Sequence, residues 1–449
     1  MLFKITIYTY ILYCLSGVFL FTSVSALPTT ATTAPENTSK LSLATVVKKT
    51  LQQNPEVLKN RAYRLAADAA IRQAKSGFLP KVSGSLGVGR SNTTTTYSTS
   101  TSENSLSPIM TNFSITQPVF SGFGTYNLVQ QRKEEFKGAS FNESYTKEDL
   151  ALQATSAYLN VLLNKHLHEL TKNNVGVHKE ILTKVDIKYK GGGGTKADVD
   201  LAAGRLAEKM ARLHNIEGAE ANSIANFIKV VGIEPQNLFL PKEVPTLPKN
   251  LPLALNMTLE KNPAYFAAYA NFKSATKALD VSKSTLLPTV DFEATQADSK
   301  NYSGYESRNK DRRGMLVARY NLFNGASDIS DIDKSAQYRQ AAMYDFYNTK
   351  NKVIESTTKA WNKFQADQAS LTEHYKHLYA AEQALDGYKQ QFDLGKTSLL
   401  NVLDMEDEVY NAKIDVINGQ YAVIIDHYIL LANIGMLAAY FTHKDKDNG

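Results

Sequence analysis

Asn54-Pro55 returns as Asn262-Pro263, and Leu79-Pro80 as Leu287-Pro288, each pair 208 positions apart. Phe120-Ser121-Gly122 returns as Phe323-Asn324-Gly325, and Tyr189, Gly192 and Val199 return as Phe392, Gly395 and Val402, all 203 positions apart. The chain is written twice. A repeat this long, kept in one order, restricts the fold more than composition does, because both halves must build the same supersecondary unit.

The unit reads off its punctuation. A short helix comes first, then a helix opened by Asn-Pro, since proline fits a first helical turn and its predecessor prefers extended backbone. Leu-Pro stops that helix. Beyond Pro80, Val82, Leu86 and Val88 alternate with Ser83, Ser85 and Gly87, and beyond Pro288, Val290, Phe292 and Ala294 alternate with Thr289, Asp291, Glu293 and Thr295. Period two predicts strands with one apolar and one polar face. Four strands are expected, at about 81–90, 111–120, 289–297 and 313–322, with polar loops over 91–107 and 298–313. A Phe-x-Gly corner then leads into a long helix, a glycine break and another long helix. The first repeat spans 41–233, a Pro-rich linker 234–252, the second repeat 253–442, and a tail 443–449.

The long helices carry heptads. Phe364, Leu371, Leu378, Leu385 and Phe392 recur every seven residues, as do Val402, Val409, Val416, Val423, Leu430 and Leu437. A strict seven-residue repeat imposes a left-handed supercoil. Residues 326–391 hold no proline, so one helix there runs roughly 100 Å at 1.5 Å per residue. The glycine run Gly191–Gly194 is a turn between two helices, expected at 190–195, and its copy lies at 393–397. A phosphate loop would need Gly-Lys-Ser/Thr after a strand; this run ends Gly-Thr-Lys after a helix.

The first 26 residues hold one lysine, an apolar run and a small-residue ending, Val24-Ser25-Ala26. They read as a cleaved signal peptide rather than a membrane anchor. Residues 27–40 read as a flexible polar tail. Cys14, the only cysteine, falls in the first segment, so disulfides are not expected. A dispersed net charge of +6 gives no footprint for nucleic acid. Paired catalytic carboxylates, Gly-x-Ser-x-Gly and Cys/His pairs are missing, so neither an enzyme nor a cofactor is expected. His374 and His377 have a spacing compatible with metal but no third ligand nearby in sequence; exposed helix surface is the better reading, and no metal site is expected. His166 and His168 fall on different helix faces, and Trp361 reads as packing beside Phe364.

Four strands with one apolar face look like barrel staves, yet the smallest closed membrane barrels use about eight. Open edges would template further pairing. The barrel must therefore be shared between copies. Three copies would supply twelve strands.

Asn54-Pro55-Glu56, AAIRQAKSGFLPKVSGSLGVG (69–89), QPVFSGF (117–123), GTKADV (194–199) and FDLGKTSLLNVLDMEDEVYNAK (392–413) resemble the TolC family of outer-membrane channel proteins, in order and in both halves. The resemblance implies an α+β, internally duplicated fold. It combines a long coiled-coil α-helical barrel in the periplasm with a transmembrane β-barrel of four strands per protomer, twelve in a homotrimer. It implies an outer-membrane location in a Gram-negative bacterium and partners in a periplasmic adaptor (membrane fusion) protein and an inner-membrane ABC transporter or proton-driven pump. Outer-membrane lipid surrounds the barrel. The function implied is an exit duct of a tripartite export system, passing protein by type I secretion or small molecules. GTKADVDLAAGRL resembles members paired with type I secretion. The alternatives are a drug-efflux factor with a proton-driven pump and, in another class, a structural or adhesive periplasmic coiled-coil protein.

The same resemblance makes Gly191, Gly192, Gly193, Gly194, Thr195, Gly395 and Ser398 hairpin tips where an adaptor docks. It puts a constriction just past the second tip, where the family usually has two aspartates. Here those positions are Asn401 and Asp404, so one ring would be neutral and the other would favour cations. The family's entrance tyrosine is Phe392, its arginine is Thr397 with Lys396 beside it, and its acidic partner is Asp198. A differently wired latch follows, with Lys396 to Asp198 as a substitute pair.

Overall fold

A computed structural model describes residues 41–241 and 243–443. The expected signal peptide, the polar tail and most of the C-terminal tail lie outside the described residues.

The two repeats match helix for helix. In the first, α1 (Leu43–Gln53), α2 (Pro55–Lys75), α3 (Gly124–Lys190) and α4 (Lys196–Val231) have 11, 21, 67 and 36 residues. In the second, α5 (Leu251–Lys261), α6 (Pro263–Lys283), α7 (Ser327–Asp393) and α8 (Leu399–Ile434) have the same four lengths. A short α9 (Leu437–His443) closes the chain. Asn54 and Asn262 do double service. Each ends one helix, and its side-chain oxygen accepts an N–H from the first turn of the next. Each also donates its amide across the fold, Asn54 to the Val230 carbonyl and Asn262 to the Asn433 carbonyl.

The four main strands are β1 (Lys81–Val88), β4 (Ile109–Ser121), β5 (Thr289–Lys300) and β6 (Arg308–Arg319). They form one antiparallel sheet in the order β1-β4-β5-β6, so β1 and β6 are its edges. Register separates the faces. Val82, Ile115, Ala294 and Gly314 share one row, and Phe292 faces Leu316 on the same side. The reverse side holds Ser83 opposite Ser114, hydroxyls 2.7 Å apart, and Glu293 opposite Met315.

Two expected loops are shorter than predicted. Residues 91–107 contain a hairpin of β2 (Ser91–Tyr97) and β3 (Ser100–Leu106). Both of its faces are hydroxyl-rich, so no hydropathy alternation announced it. Residues 298–313 are mostly strand: the ladder of β5 and β6 runs on to Lys300 opposite Arg308, an ion pair from Arg308 to Asp298 crosses it, and only 301–307 turns.

The helical core sits where α1 and α9 wrap the long helices. Val46, Val47, Ala154, Tyr158, Phe227, Tyr428 and Phe441 pack together there. The Tyr158 hydroxyl lies 2.7 Å from the Phe239 carbonyl and 3.0 Å from that of Leu41 and accepts the Phe239 N–H, which fixes the linker. The heptad row through Leu430 to Leu437 does not run on one helix. Gly435 adopts φ +88° and ends α8, with Met436 N–H bonded back to the Leu431 carbonyl. A Cβ at Gly435 would meet the Lys261 carbonyl at 2.7 Å, so the close approach requires glycine as well.

Trp361 packs edge-on to Phe364, their centroids 6.5 Å apart. No helix among the described residues is long and apolar enough to cross a membrane.

Candidate functional site

Both hairpin turns lie at the ends of their helices. Of the four glycines, only Gly192 needs the left-handed region, at φ +78°, and Gly395 repeats it at +72°. The next helix of each hairpin is capped at once. The Thr195 hydroxyl oxygen accepts the Asp198 N–H, and the Thr195 backbone N–H donates to the Asp198 carboxylate in return, a reciprocal capping box. Ser398 caps α8 through the Asn401 N–H.

The tips of the two repeats touch. Val185 and Ala202 from the first pack with Leu399 and Leu403 from the second, and Phe392 joins them. The Lys188 ammonium lies over the Phe392 ring, 4.8 Å from its centroid. Lys188, Gly193, Asp198, Phe392, Thr397 and Ser398 line a groove of about 320 Å³ between the tips.

The substitute latch is not made within the chain. The Asp198 carboxylate accepts the Thr195 hydroxyl at 2.7 Å, and among the described residues no ion pair joins it to Lys396. The Asn401 amide donates to the Thr397 hydroxyl at 2.8 Å, so two neutral residues are tied together at the start of α8.

Asn401, Asp404 and Glu408 form an exposed stripe on α8. Asp404 is not an isolated charge there: Arg205 Nη2 of α4 lies 2.8 Å from its Oδ1. Arg205 also reaches Asp407 at 3.3 Å, and Asp407 meets the Lys209 ammonium at 2.7 Å. Lys209 is 2% exposed and His178, whose Nε2 is 3.6 Å from Asp407, only 1%. Burial alone would raise the Asp407 carboxyl, but the His178 ring and the Lys209 ammonium hold it below the usual carboxylate range. Neither Arg205 nor this cluster was singled out from sequence. The available signal was a lysine on an apolar row: Ala202, Lys209 and Ile216 are seven apart.

The histidines have structural partners. His377 pairs with Glu408 at 2.9 Å, and His374 bonds Ser370 at 3.1 Å. His166 bonds the Tyr421 hydroxyl and His168 the Glu220 carboxylate. Among the described residues no group of three or more His, Cys, Asp or Glu could hold a metal ion.

A duplicated sheet with opposed faces, feeding helices of 67 residues that end in paired tips, has a counterpart among known proteins. The family described as "Outer membrane efflux protein" matches residues 46–232 and 254–435. The chain belongs to that family. It is similar to the outer membrane efflux protein BepC of Brucella suis biovar 1 (strain 1330), 22% identical over 392 residues, covering 87% of this chain and 84% of BepC. It is 22% identical over 408 residues to the outer membrane protein TolC of Escherichia coli (strain K12), covering 86% and 80%. Among solved structures, the outer membrane protein VceC of Vibrio cholerae superposes with a TM-score of 0.77 at 16% identity, covering 88% of this chain and 96% of VceC. As an outer membrane efflux protein, the chain puts its sheet in the outer membrane and its helices on the periplasmic side.

Proposed function

We propose that the protein is the exit duct of a tripartite export system, assembled as a homotrimer. The observation that carries this is the sheet. It has one apolar face, one polar face and two open edges, and four strands cannot close around a lumen. Three copies joined β6 to β1 would bury every edge and continue the helices as a tube. Cargo is protein delivered by an ABC transporter or small molecules delivered by a pump. The resemblance of GTKADVDLAAGRL to type I secretion members favours the first. A periplasmic adaptor docks at Gly191–Gly194, Thr195, Gly395 and Ser398. Asn401 and Asp404 line the constriction, and no catalysis is required of the duct.

Extraction from outer membranes followed by planar-bilayer recording tests this. Heat-modifiable trimers with stable single-channel conductance are expected. A folded, non-conducting monomer would sink the duct and favour an adhesive coiled-coil role.

A further inference from the structure

The apolar face of the sheet does not stay apolar. Beyond Ala294 and Gly314 it carries Arg312, then Asp298 opposite Lys310, then Lys300 opposite Arg308. All four cations are exposed. Asp298 is taken by Arg308 at 2.8 Å. Lys300 and Arg308 are like charges directly opposite on an antiparallel pair, an arrangement that destabilises a sheet. The polar face treats its arginines differently: Arg313 pairs with Asp311, and Arg319 with Asp291 at 2.9 Å and with Glu293. On the polar face both arginines of β6 are neutralised within the chain, whereas on the apolar face Lys300 and Arg312 have no ion-pair partner among the described residues and Lys310 shares Asp298 with Arg308.

Their height is informative. Thr289 and Arg319 mark the end of β5 and β6 next to the helices, and Lys300 and Arg308 mark the other. With the helices periplasmic, the basic ladder stands at the outer leaflet, just beyond Phe292 and Leu316. Neighbouring strands are about 4.8 Å apart and same-face residues about 6.8 Å apart. The result is a small lattice of cations beside a greasy wall. Cations on the lipid face are costly at the bilayer midplane but cheap at the interface, where anionic headgroups attract them, and phosphate oxygens suit both the guanidinium fork and the ammonium point charge.

We propose that Lys300, Arg308, Lys310 and Arg312 bind the phosphate groups of an anionic lipid in the outer leaflet. The apolar rows beneath them take its acyl chains. Free phosphate has no use for those rows, so the site selects a lipid.

Full-length protein reconstituted in phosphatidylcholine vesicles, with or without diphosphoryl lipid A, tests this by mass spectrometry of the lipid that copurifies. Wild type should enrich lipid A over phosphatidylcholine. Lys300→Gln/Lys310→Gln/Arg312→Gln should lose roughly fivefold of that enrichment per residue removed. Lys310→Gln alone should lose one such step, and it decides the matter if the triple variant does not fold. Arg313→Gln/Arg319→Gln, on the lumen face, should keep it. Unchanged enrichment in the variants of the ladder, equal loss in the lumen variant, or displacement of lipid A by inorganic phosphate at matched concentration would each overturn the proposal.

Discussion

Arg205 of the first repeat and Asp404 of the second form an ion pair of 2.8 Å across the two hairpins. The carboxylate placed by resemblance at the constriction is therefore compensated within its own chain. Asn401 adds no charge. If Asp404 lines the passage, wild type should show little preference for cations. Arg205→Gln should raise the cation-to-anion permeability ratio by about tenfold, as a ring of bare carboxylates concentrates counter-ions. Arg205→Gln/Asp404→Asn should return it to the wild-type value. Reversal potentials in a salt gradient measure this. A large shift that persists in the double variant would mean that Asp404 is not the group exposed to permeating ions.

Asp407 holds a buried cation in place. Lys209 is 2% exposed and its ammonium is 2.7 Å from that carboxylate. Removing one partner of a buried pair leaves an uncompensated charge, at about 3–5 kcal/mol. Asp407→Ala should lower the protection of backbone amides around His178 and Lys209 in hydrogen exchange by that amount. Asp407→Leu/Lys209→Met should recover most of it, because an apolar pair of similar volume needs no compensation. If the two variants exchange alike, the pair is not what orders this stretch.

Glu148 on α3 receives the N–H groups of Leu437 and Ala438, at 2.7 and 3.2 Å, and so caps α9. Burial pushes its carboxyl up to about 7, although the two N–H bonds oppose the rise. A carboxyl with a raised native pKa binds its proton in the folded state after the unfolded chain has lost it. Its contribution is thus complete below about 4.5 and disappears as pH rises through about 7. The docking of α9 should weaken over that window by roughly 3 kcal/mol. Glu148→Gln, which cannot ionise, should remove that slope. Hydrogen exchange of α9 at pH 4.5 to 8, corrected for intrinsic rates, reports it.

What the sequence disclosed and what it hid have separate physical causes. Asn54-Pro55 and Asn262-Pro263 marked helix joints because proline and asparagine act locally, and the joints fall at those residues in both repeats. Heptads showed the long helices because they bury a periodic stripe. The same stripe concealed the break at Gly435, since Leu437 resumes the apolar row after the turn. The β2–β3 hairpin left no trace, for Thr93 to Thr96 are alike on both faces. Partners such as Arg205 and Asp404 lie 199 positions apart, and a single sequence carries no sign of which charges meet. Lys209 and His178 stayed hidden too, although each sits seven positions from a buried apolar residue, Ala202 and Val185, and that spacing was the one sign available.

The remaining contact between tips replaces hydroxyl chemistry with a ring face. Phe392 has no group to hydrogen-bond, yet Lys188 lies 4.8 Å from its centroid and the ring packs against the cluster of Val185, Ala202, Leu399 and Leu403. A cation over an exposed aromatic face contributes about 0.5–1 kcal/mol, and truncating the ring also gives up its apolar contacts. Phe392→Ala should therefore loosen the tips by about 2 kcal/mol or more, read as faster exchange at residues 185–203 and 392–403. Lys188→Gln should cost only the smaller cation share, about 0.5–1 kcal/mol. Phe392→Tyr keeps the ring face and should exchange as wild type does. Gly192→Ala provides the contrast: nothing lies within 4 Å of its added Cβ, but φ is +78°, so it should strain the turn by about 1 kcal/mol without touching the contact between repeats. If Phe392→Ala and Gly192→Ala loosened only the first hairpin, to the same extent, the ring would not be joining the two tips.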